Sequence, residues 1–341
     1  MTRLEQPIAV CRTCCEGYEF VNRLLDVNNL EVTFAKRAGK FQAVRGVSFS
    51  LDKGEHLGLV GESGAGKSIT GFSIINLISK PGYISKGNIL FEGRDLAKLS
   101  LEEMRRIRGD RIAMIFQDPM MTLNPVLTIG TQMIETVLAH RRVSRAEARD
   151  ISVERINRVR ISSPERRLKQ YPHEFSGGMR QRIVIAISLL TDPALIIADE
   201  PTTALDVTIQ AEIMELLLDL CTSRQMGLVL ITHDLAVVSQ ITQRIAVMYA
   251  GLIVETGPTA EVIATPRHPY TRGLINALPQ TRHGEKRLRQ IPGVMPGLRN
   301  LPAGCAFHPR CEQCRDICIT TQPERRTLAC GVQVACHLVE E

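Results

Sequence analysis

The stretch HLGLV-GESGAGKS-ITGFSIINLI, residues 56 to 78, decides the fold. HLGLV reads as a short buried strand, and the segment after Lys67 carries Ile69, Phe72, Ile75 and Leu77 at helical spacing. Between them GESGAGKS, residues 61 to 68, fits the G-x-x-x-x-G-K-[ST] phosphate loop in the strand-loop-helix setting its mechanism needs. Gly61, Gly64 and Gly66 leave the loop free to turn its amides inward, with Glu62, Ser63 and Ala65 completing it. The helix start adds partial positive charge, Lys67 meets the terminal phosphates, and Ser68 offers a hydroxyl to Mg2+.

Working outward, LIIAD at 195–199 and LVLIT at 228–232 are further strand-like runs, joined by the helical TIQAEIMELLLDLC. Strands alternating with helices predict an α/β core on a parallel sheet. Asp199 and Glu200 fall at the end of one such strand, where open α/β sheets bind ligands. Asp199 suits the metal-organising acid, and Glu200 suits a base for the attacking water. His233 follows the other strand, where a lone His is more often structural.

Upstream, LEVTF at 30–34 and VSFSL at 47–51 predict an antiparallel meander from Leu25 to about Val60. SLEE at 100–103 and SRAE at 144–147 are capping boxes in a stretch dense in Arg and Glu, so a mainly helical insertion is expected from about 100 to 170. Beyond Thr256 prolines recur, and residues 305–341 hold six of the ten cysteines, which predicts a separate loop-rich appendage.

Bulk properties bound the function. The 341 residues suit a main domain plus an appendage. A hydrophobic content of 44% with 23% charged residues argues against disorder. The apolar run IVIAISLL, 183–190, is far short of the ~18 to 20 residues of a membrane span. MTRLEQPIAVCRTCC lacks an apolar h-region, so a reducing cytoplasm is expected. The net charge of +6 is modest for this length and compatible with nucleic acid, anionic lipid or nucleotide.

FSGGMRQR, residues 175–182, lies just before the Asp199–Glu200 pair and resembles the signature of ABC transporter ATPases. The likeness covers roughly residues 25 to 260 and implies a P-loop ABC nucleotide-binding domain: a RecA-like core, an antiparallel β lobe and a helical subdomain at about 118–175. It implies that Ser176, Gly177 and Gly178 cap the γ-phosphate of ATP held by an opposite subunit, with Phe175 and Met179 departing from the usual Leu and Gln. It further implies Gln117 as a Mg2+ contact with Ser68 and Asp199, Ala204 to Asp206 as the D-loop, His233 in ITHDL as the switch that holds the attacking water or γ-phosphate with Glu200, and Phe34 as the adenine-stacking aromatic, Phe41 competing.

QDPMMTLNPVLTIG at 117–130, ADEPTTALDVTIQAEI at 198–213 and HPYTRGL at 268–274 resemble the oligopeptide, dipeptide and nickel importer group, in its "D" type of subunit. That implies an ATPase driving solute uptake from the cytoplasmic face of the inner membrane as a peripheral subunit. Its partners would be an "F"-type ATPase as heterodimer, two permeases and an extracytoplasmic binding protein, with no nucleic acid. Peptide is the expected cargo, nickel or glutathione the alternatives. A soluble ABC ATPase acting on nucleic acid is the reading from another class, and the paired cassettes or coiled-coil insertions of such proteins are missing here.

Cys305, Cys311, Cys318 and Cys336 resemble the cysteine pattern of residues 261–341 in peptide importer ATPases. The resemblance implies a [4Fe-4S] cluster, with Zn2+ the alternative and free thiols or disulfides the third. Residues 1–24, with CRTCC at 11–15, are expected to be an extension, and Cys221 a core residue.

Overall fold

A computed structural model describes residues 22–37, 39–203, 205–278 and 290–339. The CRTCC segment and Ala204 lie outside the described residues.

The described residues open with β1 (Arg23–Lys36) and β2 (Gly39–Asp52), two 14-residue strands paired antiparallel with Val27 opposite Phe49 and Val32 opposite Val44. The expected meander is thus one long hairpin, and its sheet is completed by β4 (Gly82–Phe91) and β5 (Arg94–Asp95) in the order β2-β1-β4-β5. Between hairpin and β4 the chain runs through β3 (His56–Val60) and α1 (Lys67–Ile74). The helix stops short of the predicted Ile78, because the Ile75 N–H turns back to Ser73 O and Asn76 adopts φ 49.

The helical region holds α2 (Leu101–Ile107), α3 (Pro119–Thr122), α4 (Ile129–His140), α5 (Arg145–Arg158) and α6 (Pro164–Arg167). Both predicted capping boxes form, Ser100 with Glu103 and Ser144 with Glu147. One strand, β6 (Ile112–Ile115), interrupts this region and joins the main sheet; four residues give too short a pattern to separate from helix by sequence.

The remaining elements are α7 (Gly177–Ser188), β7 (Leu195–Asp199), α8 (Val207–Ser223), β8 (Gly227–Thr232), α9 (Leu235–Ile241), β9 (Arg244–Tyr249), β10 (Leu252–Pro258), α10 (Thr259–Ala264), α11 (Pro269–Asn276), α12 (Asp316–Thr320), β11 (Arg326–Thr327) and β12 (Gln333–Val334). Among the described residues eight strands form one sheet in the order β11-β12-β10-β9-β3-β8-β7-β6. Strands β6, β7, β8, β3 and β9 run parallel. Every residue of β3, β7 and β8 is buried, as expected of strands covered on both faces.

One apolar cluster, with Leu25, Leu51, Leu59 and Ile74, joins the antiparallel lobe to one face of this sheet. A second, with Met133, Ile183, Leu217 and Leu230, fills the other face and extends into the helical region. The C-terminal residues are not a detached appendage. Strand β12 pairs with β10, Val334 opposite Glu255, so the tail extends the main sheet, and Phe307 stands edge-on to Tyr249 at 5.2 Å. Cys221 is fully buried, and burial pushes its thiol up to about 12. Among the described residues no helix is long and apolar enough to cross a membrane.

Candidate functional site

Four neighbouring parallel strands end on one edge of the sheet, and each delivers a residue there: β3 leads into the phosphate loop, β6 to Gln117, β7 to Asp199 and Glu200, and β8 to His233. Gln117, Glu200 and His233 line an open cleft of about 680 Å³ with Gly61 to Gly64, Gly66, Lys67 and Ser68.

The loop is built tightly. A Cβ on Gly61 would lie 2.2 Å from Met248 O, and one on Gly66, at φ 102, would lie 2.7 Å from Ala43 O. Glycine is therefore required at both positions by close backbone approach. Lys67, 5% exposed, donates from Nζ to Gly61 O at 2.8 Å and Glu62 O at 3.0 Å. Burial lowers its affinity for a proton, opposed by the charges of Glu200, Asp199 and Glu62. It is a desolvated cation held under an amide-lined loop at the start of α1, which is the environment an anion completes.

Asp199 ends the fully buried β7 and is 3% exposed. Desolvation pushes its carboxyl up to about 6, Glu200 adding to the rise while the Ser68 hydrogen bond and Lys67 oppose it. Ser68 Oγ donates to Asp199 Oδ1 at 2.9 Å, so the two oxygens expected on Mg2+ already meet. Glu200 sits in the left-handed region at φ 45, its N–H bonded to Ile231 O at 2.8 Å. This strained turn lets adjacent carboxylates serve different neighbours. Glu200 accepts from Gln117 Nε2 at 3.0 Å and Thr203 Oγ1 at 2.9 Å, and lies 3.3 Å from His233 Nδ1. Thr203 was not a sequence candidate; its place three residues after Glu200 is the only signal that pointed to it.

Ser176 caps α7, accepting the Met179 N–H, and is exposed. A Cβ on Gly178 would come 2.7 Å from Ile209, so α7 begins hard against α8. Ser176, Gly177 and Gly178 line no part of the cleft of their own chain. Phe34 and Phe41 face each other across the β1–β2 hairpin, rings stacked at 5.4 Å, so the two candidates occupy one place.

The sequence matches the ABC transporter family over residues 44–203, and the C-terminal region of oligopeptide and dipeptide transporters over 254–318. It is 53% identical to the oligopeptide transport ATP-binding protein OppD of Bacillus subtilis, covering 84% of this chain and 81% of that one. This chain belongs to the ABC transporter ATP-binding subunits of the peptide-transporter family. It is therefore an ATPase, built on the cassette whose residues converge above. It is also 46% identical to the dipeptide transport ATP-binding protein DppD of Escherichia coli, over 92% of this chain and 96% of that one. Among solved structures, it is similar to the dimeric post-hydrolysis state of the cassette MJ0796 bound to ADP and Pi, at TM-score 0.63 and 27% identity, over 69% of this chain and 99% of that one.

The cysteines behave differently from the nucleotide site. Cys305, Cys311, Cys318 and Cys336 are free, and the Cys305 N–H bonds to Cys318 O at 2.8 Å. Burial raises the thiol of Cys305 to about 11 and lifts those of Cys311 and Cys336, and negative charge on the neighbouring thiols raises each further. Yet among the described residues no group of three or more His, Cys, Asp or Glu is arranged to hold a metal ion. Neither the expected [4Fe-4S] cluster nor its Zn2+ alternative finds a metal-holding group among the described residues.

Proposed function

We propose that the subunit binds MgATP in a composite site, its own phosphate loop forming one wall and the signature of a sister ATPase the other, and that closure and hydrolysis drive peptide uptake. The single observation that carries the reading is the convergence at the sheet edge, where Ser68 bonds to Asp199 and Glu200 is held by Gln117, Thr203 and His233.

Each residue has a physical task. Loop amides and the start of α1 receive the phosphates, and Lys67 exchanges the carbonyls of Gly61 and Glu62 for phosphate oxygens. Ser68, Asp199 and Gln117 would hold the Mg2+ that arrives with ATP, and the ion supplies neutralising charge to the phosphates. Glu200 takes the proton of the attacking water, and its three polar neighbours fix its orientation. His233, two-thirds exposed in its side chain, is free to reach the γ-phosphate when the site closes. The signature stands away from its own cleft and exposes Ser176, which fits service to a sister chain.

The names of the relatives, oligopeptide and dipeptide transport proteins, support peptide as the solute, with nickel or glutathione as alternatives. The partners in this reading are an "F"-type sister ATPase, two permeases and an extracytoplasmic binding protein, with the subunit docked on the cytoplasmic face of the membrane. Met121 and Val126, 85% and 76% exposed just beyond Gln117, suit that docking side. We also assign a [4Fe-4S] cluster to Cys305, Cys311, Cys318 and Cys336. Its support is that the tail carries four thiols, the number a cube takes, although among the described residues they are not arranged to hold a metal ion.

Mixing the purified subunit with its sister tests the composite site. The pair is expected to hydrolyse ATP, the isolated chain to be nearly inactive, and Ser176→Ala here to silence the site carried by the sister. Vigorous turnover by a proven monomer contradicts it.

A further inference from the structure

Two motifs, HPYTRGL at 268–274 and GCAFHPRC at 304–311, lie outside the nucleotide cassette and have no task in the mechanism above. In the folded chain both reach the same residue, Glu62, the second of the phosphate loop. Tyr270, in α11, accepts the Glu62 N–H on its hydroxyl at 2.8 Å. Arg310 grips the Glu62 carboxylate with both arms, Nη1 to Oε2 at 2.7 Å and Nη2 to Oε1 at 2.9 Å. The Glu62 carbonyl accepts Lys67 Nζ at 3.0 Å. The N–H, carbonyl and carboxylate of this one loop residue are therefore all engaged within the protein.

The anchor is itself rigid. Arg310 is 7% exposed and rides on the single turn His308–Arg310 between Cys305 and Cys311. Its Nε donates to Pro292 O at 2.8 Å, and its guanidinium lies 5.8 Å from the Tyr249 ring and 6.0 Å from the Phe307 ring. Tyr270 is fully buried, edge-on to Tyr249 at 4.6 Å. A planar, bidentate pair packed by aromatics fixes direction as well as charge.

Glu62 is the acidic residue of GESGAGKS, placed where a triphosphate must bind. A bare carboxylate there would repel the ligand, and a peptide free to rotate would misdirect the loop amides and the lysine beside it. We propose that Arg310 and Tyr270 are positioning residues of the ATP site: Arg310 cancels and orients the loop's carboxylate, Tyr270 fixes its peptide, and the C-terminal region thereby completes the phosphate-binding loop. This rests on the ATPase reading above and assigns Glu62 to the scaffold of the loop rather than to ligand contact.

The test uses the full chain in the assembled transporter, measuring KM and kcat for ATP together with the melting temperature of the nucleotide-free complex. Arg310→Gln is expected to raise KM about tenfold to hundredfold, the worth of a charge-assisted hydrogen-bond pair, with kcat changed far less. Adding Glu62→Gln to the same chain removes the exposed carboxylate and brings KM most of the way back. Tyr270→Phe, which keeps the ring and its packing, raises KM without altering kcat. A wild-type KM in Arg310→Gln, or a double variant as poor as the single one, overturns the proposal. If Arg310→Gln does not fold, the Tyr270→Phe result decides: an unchanged KM overturns it. Lys67→Ala separates the layers. If the unaltered complex fails to hydrolyse ATP, or Lys67→Ala matches it, the ATPase reading falls. If Lys67→Ala is dead while Arg310→Gln is normal, only the positioning role falls.

Discussion

Replacing Asp199 with Asn tests how the site stores electrostatic energy before ATP arrives. Asp199 is 3% exposed, and burial lifts its carboxyl from 3.8 to about 6. The folded chain thus holds this proton over a pH range in which the unfolded chain has released it. Stability from this group is full below pH 3.8 and falls as pH rises, until the folded carboxyl has also ionised near pH 6. About two pH units at about 1.4 kcal/mol each amount to a loss of about 3 kcal/mol that persists at neutral pH. Asn has the same shape, can accept the Ser68 hydroxyl and carries no charge to desolvate. The nucleotide-free Asp199→Asn chain should therefore be about 3 kcal/mol more stable at pH 7.5 and indistinguishable from the parent near pH 4. Urea titrations at a series of pH values measure the difference, and MgATP should stabilise the variant far less than the parent. Equal stability of the two chains at pH 7.5, or a gap that does not close in acid, would refute the assignment of burial as the cause.

Two further outcomes follow from the same geometry. Glu200→Gln keeps the contact with Gln117 but not the base, so hydrolysis should fall about 10²-fold or more while ATP binding survives, and ATP-bound dimers with the sister subunit should accumulate on a sizing column. Gly66→Ala forces a Cβ to 2.7 Å from Ala43 O at φ 102. It should destabilise the chain by about 1 to 3 kcal/mol in thermal unfolding and abolish MgATP binding, measured by equilibrium dialysis.

What was legible in the sequence was what local pattern encodes. Gly61, Gly66 and Lys67 announce an anion loop between strand and helix, and apolar runs ending in Asp199 and His233 place chemistry at strand ends. The capping boxes at Ser100 and Ser144 fixed two helix starts because the reciprocal hydrogen bonds span only three residues. Contacts between distant segments were not legible. Nothing near Glu62 announces that Arg310, 248 positions later, will close on it. The prolines and cysteines of the tail suggested a detached appendage, whereas two residues of β12 pairing with β10 bind it to the main sheet. The strand Ile112–Ile115 was hidden among helices because four residues carry no decisive period. Phe34 and Phe41 could not be told apart, and pairing across the hairpin explains why: they are stacked neighbours.

The central claim is that this chain grips nucleotide triphosphate through Lys67 and the loop around it. Equilibrium binding of radiolabelled MgATP to the assembled transporter, with the phosphate loop of the sister subunit disabled, isolates that grip. The parent chain should retain one saturable site and Lys67→Ala should have none. Undiminished binding by the Lys67→Ala chain would contradict the account.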